Sequence, residues 1–196
     1  MMRTIWILVF FIISGCSTSV SNKEDAARPE TDLVDIPSNA VREKFADNPE
    51  MEKITINDAQ GALAGQGVLV NGKREGAWTE FYPGGIIKSS TPYVDGKKEG
   101  WYVELNLNGQ FTKRIFYHND LRHGEYKEFN GSTIKEERFY QNDKLEGSVK
   151  LYYPDGKILE DGSFKAGTRD GISRWYDQTG KMTIEYEYKN GQLVKK

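Results

Sequence analysis

A glycine that returns at an almost constant interval constrains this chain more than any other feature. Gly76, Gly100, Gly124, Gly147 and Gly171 are spaced by 24, 24, 23 and 24 residues. Each closes a short motif of related composition, from Asn71-Gly72-Lys73-Arg74-Glu75-Gly76 through Asp95-Gly96-Lys97-Lys98-Glu99-Gly100 to Ala166-Gly167-Thr168-Arg169-Asp170-Gly171. A fixed period in this range marks stacked supersecondary units, each burying its surface against its neighbours.

A second glycine set, Gly85, Gly109, Gly131, Gly156 and Gly180, divides each unit into two halves. Turn formers such as Asn71-Gly72, Asn108-Gly109, Asn130-Gly131 and Asn190-Gly191 tolerate positive φ where strands reverse. Between them lie β-formers, among them Ala77-Trp78-Thr79-Glu80-Phe81-Tyr82 and Val149-Lys150-Leu151-Tyr152-Tyr153. The expected fold is all-β: an elongated antiparallel meander of tandem hairpin repeats of about 24 residues, giving roughly eleven or twelve strands. Paired in order, the aromatics form columns about 10 Å apart on one face. Trp78 and Phe81 are three residues apart and cannot both point inward from a regular strand, which predicts a bulge in the first strand of each unit.

The Gly-Lys-x-Glu-Gly-x-Trp-x-x-Phe-Tyr-x-x-Gly arrangement, best preserved from Gly72 to Gly85, resembles the bacterial MORN-variant repeat over roughly residues 61 to 196. Later copies drift, with Asp120 and Asp143 at the turn glycine and Val149 and Ser173 at the tryptophan. The resemblance implies a chain of hairpins used for contact with proteins or membranes. Some similar proteins are labelled antitoxin components.

The amino end carries a different signal. Arg3, the apolar run Ile5 to Ile13 and Ile13-Ser14-Gly15-Cys16 read as a lipoprotein signal peptide over 1–15, too short to span a bilayer, with Cys16 as the lipidated residue. Two or more acyl chains on Cys16 make a stable membrane anchor. Ser17 after the cysteine resembles the pattern of lipoproteins passed to the outer membrane, and Lys23-Glu24-Asp25 is read as a charged triplet within a tether. Residues 16–50 are poor in large apolar groups and read as a disordered tether, with a short helix over 39–46 capped by Ser38. The repeat domain is placed at 51–196, opening with a strand at 53–57 and a half-unit at 61–72. Lys195 and Lys196 put charge on the last strand and discourage edge pairing.

Four Lys/Arg against eight Asp/Glu give residues 17–50 a net charge of -4, and 22 against 21 give residues 51–196 a net of +1. A near-neutral repeat domain argues against nucleic acid as partner, because phosphate backbones call for a clustered basic face. With two histidines and a single cysteine, the chain offers neither a metal site nor a nucleophile, no cofactor is expected, and the reading is non-catalytic. Paired carboxylates such as Glu136-Glu137 and Glu160-Asp161 are expected to face solvent. Two constellations are candidates for contact. One is a row of turn cations, Lys73, Arg74, Lys97, Lys98 and Arg122, which either reads an anionic surface or keeps exposed turns soluble. The other is the aromatic set Trp78, Tyr102 and Tyr126, with Phe81, Phe129, Tyr152 and Tyr176, which either stacks on sugars or forms the core. The expected role is a lipid-anchored scaffold at the cell envelope, bound to the membrane and to an unknown envelope protein. A glycan-binding module and an immunity lipoprotein are the alternatives.

Overall fold

The computed structural model describes residues 36–195, and these contain no helix. The signal peptide, Cys16, most of the tether and Lys196 lie outside the described residues. Alternating β-formers and turn residues produce sixteen strand segments: β1 (Val41–Lys44), β2 (Met51–Asn57), β3 (Leu63–Val70), β4 (Lys73–Phe81), β5 (Ile87–Val94), β6 (Lys97–Lys98), β7 (Gly100–Leu105) and β8 (Phe111–His118). They continue with β9 (Leu121–Asn130), β10 (Thr133–Gln141), β11 (Lys144–Leu145), β12 (Gly147–Tyr152), β13 (Ile158–Lys165), β14 (Thr168–Tyr176), β15 (Met182–Lys189) and β16 (Gln192–Lys195).

All belong to one antiparallel sheet in which each strand pairs with the next. The short segments β6 and β11 precede β7 and β12 and pair with the same strands, β5 and β10, so the sheet has fourteen successive positions. Fourteen exceeds the expected eleven or twelve, and β1 is a strand that was not expected. β1 also corrects the amino-terminal reading: residues 41–44 pair with β2, Val41 opposite Thr55 and Lys44 opposite Glu52, where a helix was expected. Val-Arg-Glu-Lys has no strand signature of its own, and the open edge of β2 supplies its hydrogen bonds.

Two margins close the strands. At one, six two-residue turns recur at Asn71-Gly72, Asp95-Gly96, Asn119-Asp120, Asn142-Asp143, Ala166-Gly167 and Asn190-Gly191, all with positive φ at both positions. That is the twist-matched hairpin turn, and Asp120 (φ 68°) and Asp143 (φ 64°) fill the glycine place in two of the six. At the other margin, most connections are longer. There Asp58, Asn106 and Asp177 side chains accept backbone N–H bonds from two residues further on.

The expected irregularity is present between Glu80 and Phe81, where β4 slips register against β5, and a second lies at the motif glycine. Val68 pairs with Glu75 and Gln66 with Thr79, so Gly76, Ala77 and Trp78 all lie opposite Gly67. Gly76 takes φ 66°, a conformation that side chains adopt at a cost. This bulge takes up two extra residues and so leaves Trp78 on the face shared by Arg74. Two buried clusters sit on that face: Ile54, Leu69, Trp78 and Tyr93, and further along Ile115, Tyr126 and Tyr140.

Candidate interaction surface

The turn margin is a ladder of bonds between successive units. In four of them, the carboxylate before the bulge glycine accepts the first N–H of the following turn: Glu75 from Asp95 at 2.8 Å, Glu99 from Asn119 at 3.0 Å, Glu146 from Ala166 at 2.9 Å and Asp170 from Asn190 at 3.1 Å. In the five turns after the first, the second N–H reaches a carbonyl one unit back, Gly96 to Arg74 and Gly191 to Arg169 among them. The unit that carries His123 in place of the acid is tied by Asp143, whose carboxylate accepts from Arg122 N at 3.0 Å and Nε at 2.8 Å. A hydrogen bond from His118, with the Asn119 N–H, holds the Glu99 carboxyl below its ordinary value.

Inside this ladder, cations lie over rings. Arg74 sits 4.7 Å from the Trp78 ring and 5.2 Å from Tyr93, Lys98 5.6 Å from Tyr117, and Arg122 4.3 Å from Tyr140. Arg169 covers Phe164, Trp175 and Tyr188 at 4.9, 5.4 and 5.8 Å. Such contacts strengthen where water is excluded. The next row holds Trp78, Tyr102 and Tyr126, with Trp78 donating from Nε1 to the Val68 carbonyl at 3.0 Å. Burial, then the neighbouring carboxylates Glu104 and Glu128, push the Tyr102 and Tyr126 hydroxyls well above the ordinary tyrosine range. Beyond them Glu136 and Glu160, only 7% and 5% exposed, are paired with Arg138 and Arg169. These two carboxylates were expected in solvent. They belong instead to a polar layer of the core, where partnership compensates the loss of water.

On the opposite, open face one such contact is found, Arg114 4.4 Å from the Trp101 ring. One row crosses it from Val41 through Thr55, Gln66, Thr79, Ser90 and Val103 to Arg114, Lys127, Glu137, Lys150, Asp161, Arg174 and Glu185, every neighbour in register. It is uncharged over its first six members and charged over its last seven. Flanking this row are exposed apolar groups: Trp101, 41% exposed and edge-on to Phe116 at 5.1 Å, then Phe139, Ile172 and Met182. A shallow hollow of about 460 Å³ opens around Glu125, Lys127, Phe139, Ser148 and Lys150. Among the described residues, no three His, Cys, Asp or Glu side chains converge to hold a metal ion.

Three segments, residues 74–95, 145–166 and 169–190, match the family model described as the MORN repeat variant. The chain carries MORN-variant repeats. Each matched segment runs from a motif cation or its neighbour to the first residue of the next turn, so each spans one hairpin together with the carboxylate that clasps that turn. No curated protein gives a significant match. Among solved structures, a mutant of S. aureus TarM in complex with Fondaparinux, alpha-GlcNAc-glycerol and UDP aligns over 81% of this chain and 21% of its own, at 11% identity and a TM-score of 0.24. The chain spans about a fifth of that protein, and a score so low carries no argument.

In the MORN-variant array the expected contact residues part company. Lys73, half-exposed and ion-paired to Asp95 at 2.7 Å, and the exposed Lys97 lie on the turn margin, whereas Arg74, Lys98 and Arg122 fold over rings and belong to the core layer. Trp78 and Tyr126 are 8% and 4% exposed and Tyr102 is half-buried, so these rings present no free face to a sugar. Phe81, Phe129, Tyr152 and Tyr176 separate from them onto the open face. The groups that sequence reasoning passed over are Trp101, Phe139, Ile172 and the charged row. Their signal is the two-residue alternation within β7 to β15, visible once the bulge fixes which parity faces out.

Proposed function

We propose that this protein is a non-catalytic scaffold of the bacterial cell envelope, tethered to the membrane by lipid on Cys16 and binding a protein partner through the open face of its MORN-variant sheet. The observation that carries the reading is the division of the two faces. One spends its rings, cations and carboxylates on holding successive units together. The other leaves Trp101, Phe139, Ile172 and Met182 41–48% exposed beside a continuous charged row, the combination of apolar anchors and polar surround that protein interfaces use. The anchor rests on the Ser14-Gly15-Cys16 processing pattern, and two acyl chains are what stable attachment requires.

The test is crosslinking in intact cells through a photoreactive residue at position 101, followed by mass spectrometry of the membrane fraction. The expected product is one stoichiometric protein adduct, from a bait whose mature amino terminus is acylated Cys16. Replacing Cys16 with Ser is expected to release the protein from the membrane. A protein that stays soluble and unacylated in cells, or adducts spread over many unrelated proteins, would refute the proposal.

A further inference from the structure

The charged half of the open face is complementary to itself. From β9 to β15 its central row reads Lys127, Glu137, Lys150, Asp161, Arg174, Glu185. A two-fold axis lying along the strands, between β12 and β13, turns a second copy face to face and reverses the order of this row. Lys127 then meets the second copy's Glu185, Glu137 meets its Arg174, and Lys150 meets its Asp161. By symmetry the three reciprocal contacts follow, so all six are between opposite charges. An axis displaced by half a strand spacing, onto β12, sets Lys150 against itself and Glu137 against Asp161.

The flanking rows obey the same operation. Toward the long connections, Phe129 pairs with Ile134, Tyr152 with Ile158, and Tyr176 with Met182 along the sheet. The axis that matches the charges sets Phe129 against Met182, Ile134 against Tyr176 and Tyr152 against Ile158, three apolar contacts and their mates. Toward the turn margin it sets Phe139, beside the hollow, against the exposed Ile172, and Ser148 against Ser163. Only the outermost pair on that side, Glu125 with Glu187, brings like charges together, and Glu125 already holds Arg114 at 3.0 Å.

The geometry points to a homodimer formed by this face, with the carboxyl-terminal units of two copies stacked as two aligned sheets. Stacked sheets keep about 10 Å between them and cross at about 30°, which side chains of this size fill. Closed two-fold assembly requires one patch that matches itself. Phe139, Ile172, Met182 and the charged row then serve the dimer, and the amino-terminal half of the same face, uncharged along its row and carrying Trp101, stays outside the contact and is what remains open for the partner proposed above.

A charge-reversal mixing experiment tests this. The full chain is prepared in neutral detergent as wild type, Lys150→Glu and Asp161→Lys, and the association constant is read by sedimentation equilibrium. Circular dichroism and urea unfolding confirm that each variant keeps its sheet. The wild type is expected to dimerise, and each single variant to dimerise at least about tenfold more weakly, because two of its six charge contacts become repulsive. An equimolar mixture of the two variants is expected to recover heterodimer. The glutamate introduced at position 150 of one chain then faces the lysine introduced at position 161 of the other, while the unaltered Lys150 and Asp161 face each other as before. Charge changes within each chain are the same in the mixture as in the separate variants, so recovery reports contact between chains. A monomeric wild type, single variants that associate as well as wild type, or a mixture no tighter than its components overturns the proposal.

Discussion

Gly67 is the position where the packing of the ring face is most exposed to a single test. A methyl group on it would lie 2.2 Å from Trp78 Cδ2 and 2.4 Å from Cε2, against the roughly 3.5–4.0 Å at which carbon atoms rest. The shortfall is more than 1 Å against a rigid ring. That ring is pinned by its bond to the Val68 carbonyl and by Arg74 above it, so Gly67→Ala must drive Trp78 from its site. Overpacking costs about 1–3 kcal/mol, and complete loss of a buried tryptophan about 3–5. The expected destabilisation is about 2–4 kcal/mol. Taken alone, replacing a strand glycine has the opposite sign and stabilises by about 0.4–1 kcal/mol, because the unfolded chain loses freedom. Urea unfolding followed by tryptophan fluorescence and circular dichroism should show the midpoint falling by about 1 M or more. In a Trp78→Ala background the same substitution is expected to be neutral or mildly stabilising, a coupling of about 2 kcal/mol. A neutral Gly67→Ala in the wild type, or an equal penalty in both backgrounds, would refute the reasoning.

Arg169→Met strips the buried Glu160 carboxylate of its cation and is expected to cost about 3 kcal/mol or more, with much of it recovered by adding Glu160→Leu; equilibrium unfolding of the three variants checks this. Stability should fall on acidification. Burial raises the Glu128 and Glu137 carboxyls, but hydrogen bonds from Tyr126 and Lys135 and from Tyr152 and Lys127 outweigh it and hold both below the ordinary 4.5. Their contribution is complete above that value and is lost as pH drops through the lowered ones, so a urea midpoint measured against pH should decline below about 4.5, and less steeply in Glu128→Gln/Glu137→Gln. Excising residues 97–120 joins Gly96 to Leu121 and removes one whole unit; the shortened chain is expected to keep its β-sheet circular dichroism and lose stability in proportion, as nearest-neighbour arrays do.

The period, the strands and the two-residue turns could be read from residues such as Asn71-Gly72 and Asn190-Gly191, because local conformational preference decides them. The slip between Glu80 and Phe81 was legible from the spacing of Trp78 and Phe81, whereas the second bulge follows from positive φ at Gly76, which the sequence marks only by repetition. The cations were misread as an exposed row because a single Arg-Glu pair in a turn looks soluble. The informative spacing was longer: Arg74 to Tyr93, Lys98 to Tyr117, Arg122 to Tyr140 and Arg169 to Tyr188 recur at 18 or 19 residues, across the hairpin to the adjacent strand. Strand β1 carried no signal, since Val41 to Lys44 owe their conformation to the neighbouring edge. The self-matching rows of the open face depend on register, and composition alone does not set register.

The carboxylate ladder also gives construction a direction. Glu75, Glu99, Glu146 and Asp170 each sit upstream of the turn they hold, so in these four joints a finished unit displays the acceptor that its successor needs. A polypeptide delivered amino end first can thus lay down its sheet one hairpin at a time, every new ribbon finding a docking point already built. The same polarity makes losses unequal: shortening from the carboxyl end leaves earlier joints whole, while removing an early ribbon takes away the clasp for the one turn that follows it.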